Sequence, residues 1–208
     1  MTIFKKDAIT KLENNAFFKK AGKKNEEKAH CKCFVANIDR QLKPEEVVRQ
    51  LFAKKLVEEY KYLLKQLKVE VPVTMGSSVH PKAADIIVYS QDKKKNLVPY
   101  IVVEVKKPKR KDGIEQLKSY CNALSAPIGV WSNGKDIEII RRFVNKDQTV
   151  SYLSLTTIPK KNETVDQVTK KHWTIAKLDA ENKLVTEKKE LKNIILTLQD
   201  LVLGNAGV

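Results

Sequence analysis

The spacing of apolar residues changes period several times along this chain. Val48, Leu51, Phe52, Leu56, Tyr60, Leu63, Leu64 and Leu67 recur at helical intervals. Pro44 stands just before them, where proline opens helices, so the pattern predicts a helix from Pro44 to about residue 67. Alternation then takes over. Val69 to Val73 and "DIIVY" (85–89) read as strands, and Val98 to Lys106 is a nearly continuous apolar run buried on both faces. "SQDKKKN" between the last two is a turn. From Gly113 to Leu124 the period returns to helical, with Ile114, Leu117 and Cys121 on one face. Two more strands, 128–131 and 136–140, are joined by "SNGK". Helix, three strands, helix, two strands is the order of an α/β sandwich, a central mixed sheet flanked by helices.

The flanks carry weaker patterns. Ile3, Phe4, Ile9, Leu12, Phe17 and Phe18 suggest a short helix within residues 1–21. Residues 22–43 are polar and lysine-rich and read as a loop or basic arm, with a short strand at Cys33–Ala36. Residues 144–185 read as irregular apart from a helix near Val165–Lys171. From Glu187 to Leu203 an apolar stripe returns (Leu191, Ile194, Ile195, Leu198, Leu201, Val202). That C-terminal helix either packs on the same domain or leads to a further one. The expected organisation is an N-terminal helix and basic arm (1–43), a core (44–143), and an extension with an amphipathic helix (144–208), a candidate linker.

Composition narrows the function. The formal net charge is +15, from 40 Lys+Arg against 25 Asp+Glu. Such an excess suits a polyanionic partner, most simply nucleic acid, although scattered lysines also serve solubility. No apolar stretch approaches the length of a membrane span, and charges at Lys5, Lys6 and Asp7 argue against a signal peptide. Three cysteines do not make a disulfide scaffold and fit a reducing cytoplasm. "HCKCF" groups His30, Cys31 and Cys33 without zinc-site spacing. "GVWSNGKD" (129–136) approaches a phosphate-binding loop, but Asp136 replaces the magnesium-binding hydroxyl and a strand follows. It reads instead as a hairpin.

The chemistry concentrates in "PYIVVEVKKP" (99–108), where Glu104 and Lys106 end an apolar strand. Burying such charges costs several kcal/mol each unless they are partnered. Residues of the same parity share a face, so both point the same way. If strands 85–89 and 98–106 pair as a hairpin, Asp85 lies beside Glu104. Two converging carboxylates make a hard-oxygen site for Mg²⁺ or Mn²⁺. The competing reading is an ordinary ion pair of Lys106 with Asp85 or Glu104. The first helix brings Glu45 and Glu46, of which Glu45 shares the inward side with Val48 and Phe52. The second brings Gln116 and Tyr120, four apart on one face.

With these residues assembled, the chain resembles the PD-(D/E)XK nuclease superfamily, and within it the N-terminal nuclease domain of type I restriction enzyme R subunits and related restriction-modification fusions. The matching stretches are "PEEVVRQ" (44–50), "KAADIIVY" (82–89), "IVVEVKKP" (101–108), "IEQLKSYCNAL" (114–124) and "GVWSNGKDIEII" (129–140). The resemblance implies a restriction-endonuclease-like core and a Mg²⁺-dependent endodeoxyribonuclease acting on duplex DNA, with Mn²⁺ able to substitute. It implies that Asp85 and Glu104 bind the metal and that Lys106 is the catalytic lysine. Glu45 or Glu46 is the helix carboxylate, with Glu45 preferred. Gln116 and Tyr120 then match a Q-x-x-x-Y helix beside the active site that contacts DNA. The first acidic motif is "AAD" here rather than Pro-Asp. Motor, methyltransferase or specificity subunits, or a fused domain, are the implied partners. The alternatives are a non-catalytic nucleic-acid-binding module of the same fold and a protein-interaction domain docking through 187–203.

Overall fold

The fold is that of a computed structural model, which describes residues 2–21, 26–74 and 82–171. The C-terminal helix expected at 187–203 lies outside the described residues. Elements follow in the order α1 (Lys6–Asn14), β1 (Phe17–Ala21), β2 (Glu26–Lys32), β3 (Asp39–Gln41), α2 (Pro44–Glu58), a single 3-10 turn (Leu64–Gln66), β4 (Leu67–Val73), β5 (Lys82–Gln91), β6 (Leu97–Val105), α3 (Ile114–Ala123), β7 (Ile128–Ser132), β8 (Ile137–Val144), β9 (Val150–Leu155) and α4 (Val165–Lys171). Strands β4 to β9 form one six-stranded sheet in sequence order. All its neighbours are antiparallel except β6 and β7, which run parallel with α3 as their crossover. This is the expected α/β fold with a mixed sheet.

The sheet separates two apolar layers. Val48, Leu51, Phe52 and Leu56 of α2 pack on Ile86, Val88, Ile101, Val103 and Val105, with Phe4 and Leu12 joining from the N-terminal segment. On the opposite face Leu117, Tyr120 and Cys121 of α3 pack on Ile87, Val102, Trp131 and Ile140. β6 is therefore covered on both sides, which accounts for its unbroken apolar run. The turn after β7 is the expected hairpin: Gly134 takes φ +85°, and Asn133 Oδ1 accepts the Lys135 and Asp136 amides at 3.0 and 2.8 Å. Among the described residues no helix is long and apolar enough to cross a membrane.

Several expectations give way. The first long helix stops at Glu58 rather than near 67. Lys61 takes φ +66°, which a right-handed helix cannot continue through, and Tyr62 turns inward to donate its hydroxyl to the Pro159 carbonyl at 2.8 Å. Phe17 and Phe18 lie in a strand, not a helix, and the arm at 22–43 contains β2 and β3. Cys33–Ala36, expected as a strand, is mostly the turn between them. This three-stranded sheet is lysine- and glutamate-rich. It is held by backbone pairing and by ion pairs of Asp39 with Lys19 and Lys32, so it leaves little hydrophobic signature. β9 replaces the irregular chain expected after residue 144 and pairs along β8.

Gly129 on β7 is a close-packing point. A Cβ there would lie 2.8 Å from Cys121 Sγ and 2.9 Å from Ile140 Cγ1. Gly129→Ala is expected to destabilise the domain by about 1–3 kcal/mol, the usual penalty of overpacking. The readout is a lower urea midpoint at unchanged slope.

Candidate active site

The candidate residues collect where the β5–β6 ladder ends. The last pair of the ladder is Ile86 with Val103, so the next register position sets Asp85 against Glu104. There the backbone pairing gives way to a side chain: the Val105 amide donates to Asp85 Oδ2 at 2.7 Å. The hairpin expected from the sequence thus brings the two carboxylates together, and both are buried (7% and 2% exposed).

The backbone is irregular at this point. Glu70 of β4 holds the register position opposite Asp85, between Val69↔Ile86 and Val71↔Ala84. It takes φ +50°, unusual for a non-glycine residue in a strand. Val69 and Ile86 pack in the α2-side core, whereas Val71, Val73 and Ala84 pack in the α3-side core. Both strands exchange faces across the Glu70–Asp85 position. Asp85 sits at the crossing and reaches toward α2 and β6 together.

Around this point the charges pair densely. Arg49 of α2 donates to Asp85 Oδ1 from Nε (3.0 Å) and Nη2 (2.6 Å). Its Nη1 donates to Glu70 Oε1 at 2.9 Å and to Glu46 Oε2 at 2.5 Å. Arg40 of β3 also pairs with Glu70. Lys106 Nζ donates to Glu104 Oε1 at 2.5 Å, which is the Glu104–Lys106 ion pair considered above. Gly113 makes room for that lysine. It caps α3 at φ +110°, and a Cβ there would lie 2.7 Å from Lys106 Cε.

Glu45 and Glu46 face different partners. Glu46 is buried and bonded to Arg49 and Gln50. Glu45 is half-buried, and its charge acts on Glu104 and Lys106. On α3, Gln116 Nε2 donates to the Tyr120 hydroxyl at 2.6 Å, and that hydroxyl donates to the Ala83 carbonyl at 3.2 Å. Burial raises the Tyr120 pKa, and the charges of Glu104 and Asp85 add to the shift, so this pair does border the site. All six sequence-predicted residues therefore gather at one end of β5, β6, α2 and α3. Arg49, Glu70 and Arg40 were not anticipated. A cleft of about 460 Å³ opens beside them, lined by Arg40, Lys43, Glu45, Glu46, Glu70 and Lys107 among others.

A match to a family of known proteins bears on this arrangement. The sequence model described as Type I restriction enzyme R protein N terminus matches residues 44–159, more than half of the chain. The chain belongs to this family. No curated protein matches it. The match begins at α2 and ends beyond β9, so it spans every element that contributes to the site except β3. Membership ties this R-protein N-terminal domain to a restriction system.

The donors of this domain suit a small hard cation in one specific way. Among the described residues no three His, Cys, Asp or Glu side chains form a ready-made cage. Mg²⁺ does not need one, because it is commonly held by one or two carboxylates with water and substrate phosphate completing the shell. Glu104 Oε2 is buried with no hydrogen-bond partner among the described residues, a costly state for a carboxylate oxygen. Asp85 Oδ2 accepts a single N–H, leaving one lone pair.

The same orphaned oxygen shapes the titration of Glu104. Burial, then the Asp85 charge, raise its pKa from the ordinary 4.5 to about 7, against the opposing pull of Lys106. The folded state therefore keeps a proton that the unfolded chain has lost between pH 4.5 and about 7. This contribution is fully present below 4.5 and gone above about 7, so stability falls as pH rises through that window. In chelator, the domain is expected to lose on the order of 3 kcal/mol from this group between pH 4.5 and 7.5. Denaturant melts across that range check it, and Glu104→Gln should flatten the dependence.

Proposed function

We propose that this domain is a metal-dependent DNA endonuclease of the PD-(D/E)XK type, hydrolysing phosphodiester bonds of duplex DNA for a type I-like restriction-modification system. The observation that carries the reading is the unpartnered Glu104 Oε2, buried next to Asp85 at the end of β6. Asp85 and Glu104 would hold Mg²⁺, or Mn²⁺ in its place. When bound, the ion offsets the carboxylate charge and lowers the pKa of a water at the scissile phosphate.

The remaining work falls to the chain. Lys106 fixes Glu104 through Oε1, which leaves Oε2 for the ion. Burial pulls the Lys106 ammonium toward deprotonation, but the Glu104 hydrogen bond and charge outweigh it, and its pKa is raised. Lys106 would stabilise negative charge growing on the attacked phosphate. Glu45 adds a third carboxylate at the helix side. Gln116, half-buried on the opposite border, would meet the DNA strand, whereas Tyr120 is fully buried and supports Gln116 from beneath through its hydroxyl. The net charge of +15 attracts duplex phosphates without reading their sequence. Sequence choice and translocation then belong to motor, specificity or methyltransferase partners or to a fused domain.

One observation favours a second reading. Arg49 already neutralises Asp85, and Lys106 neutralises half of Glu104, as a non-catalytic DNA-binding module would require. Cleavage of duplex DNA by the domain assembled with its restriction partners separates the two. Asp85→Ala and Glu104→Ala are each expected to lower cleavage by more than about 100-fold, the upper range for losing even an outer partner of a metal site. Salt-dependent DNA binding should persist. Full cleavage by either variant rules out the nuclease assignment.

A further inference from the structure

Asp85 is held from behind by a relay of buried polar side chains on one face of α2. Glu46, Arg49 and Gln50 stand at i, i+3 and i+4. Gln50 is 1% exposed, and its Oε1 accepts the Phe34 amide at 2.7 Å. Its Nε2 donates to Glu46 Oε1 at 2.6 Å. Glu46 Oε2 accepts Arg49 Nη1, which Glu70 also accepts from the side. The Arg49 side chain is 12% exposed and directs Nε and Nη2 onto the same oxygen of Asp85.

We infer that Arg49 is a positioning residue for Asp85, and that Glu46 and Gln50 serve the site by orienting Arg49. The inference rests on the metal-site reading above. Three N–H groups, two from Arg49 and one from Val105, fix the carboxylate on both oxygens. Rotation of the carboxylate would break at least one of them. The remaining lone pair of Oδ2 is thereby held in a constant direction before any cation arrives. Lysine cannot substitute here, because it offers a point charge rather than a planar fork of parallel donors. The two adjacent glutamates of α2 then have separate tasks. Glu45 puts its charge on Glu104 and Lys106, whereas Glu46 acts at one remove through Arg49.

The test is Mn²⁺ titration of the full chain by calorimetry, with melting temperatures in chelator measured alongside. Wild type and Asp85→Asn come first. Binding that Asp85→Asn abolishes supports the metal reading independently of Arg49, whereas a wild type that takes no Mn²⁺ overturns that reading and this inference with it. Given binding, Arg49→Met and Arg49→Lys are each expected to weaken Mn²⁺ affinity by about 10- to 100-fold, as loss of an outer partner does. Glu46→Gln, which keeps a carbonyl for Arg49, should weaken it less. Should Arg49→Met fail to fold, Arg49→Lys and Glu46→Gln carry the comparison. A wholly structural arginine would lower the melting temperature and leave the Mn²⁺ affinity of the folded protein unchanged. That result, or tighter binding in either Arg49 variant, overturns the inference.

Discussion

The site depends on one contact: the Val105 amide donating to Asp85 Oδ2 where the β5–β6 ladder runs out. A backbone N–H buried between two covered faces needs an acceptor, and leaving it without one costs about 1–3 kcal/mol. Because the acceptor is a carboxylate, a negative charge is drawn into the sheet end beside Glu104. The remaining charges answer that placement. Arg49 meets the other oxygen of Asp85, Glu46 and Glu70 meet Arg49, and Arg40 meets Glu70. Glu104 is left with one oxygen served by Lys106 and one by nothing.

The face exchange at Glu70 and Asp85 explains how one aspartate can serve two layers. In a regular strand Asp85 would point to a single side of the sheet. Here Ala84 packs toward α3 and Ile86 toward α2, so the residue between them sits in the plane of the sheet. From that plane its two oxygens reach an amide of β6 and a guanidinium of α2. The left-handed backbone at Glu70 is the local cost of this arrangement, and two arginines hold its carboxylate.

Much of this was legible in the sequence. The unbroken apolar run of β6 stated that the strand is covered on both sides, and that made Glu104 and Lys106 conspicuous. The spacing of Gln116 and Tyr120 put them on one face of α3, where they hydrogen-bond to each other. Arg49 was harder to see. Val47, Val48, Leu51, Phe52 and Ala53 wrap more than one stripe of α2, so the polar trio Glu46, Arg49 and Gln50 lies between apolar flanks and is mostly buried. That encirclement was the available signal, whereas a search for a single inward stripe favours Glu45. Glu70 had no signal at all, because it occupies an outward-looking place in an alternating strand and a positive φ at glutamate leaves no mark in composition. The N-terminal sheet was missed for a related reason. Its strands are stabilised by ladders and ion pairs, which periodicity of apolar residues does not report.

The chain as a whole is basic, yet its site holds a buried carboxylate that surface charge does not relieve. Across a chain carrying +15, five carboxylates (Glu45, Glu46, Glu70, Asp85 and Glu104) gather with Arg40, Arg49 and Lys106, and Lys43 and Lys107 line the same cleft. A basic surface draws in a polyanion over distances of about a Debye length. Within the site the costly group is Glu104, whose Oε2 is buried without a hydrogen-bond partner among the described residues. Burial first, and then the Asp85 charge, raise the pKa of Glu104 to about 7, so in the metal-free state a proton offsets the cost of the buried carboxylate. A divalent cation beside Glu104 Oε2 would relieve that cost without the proton, which a surface cation drawn to phosphate cannot do.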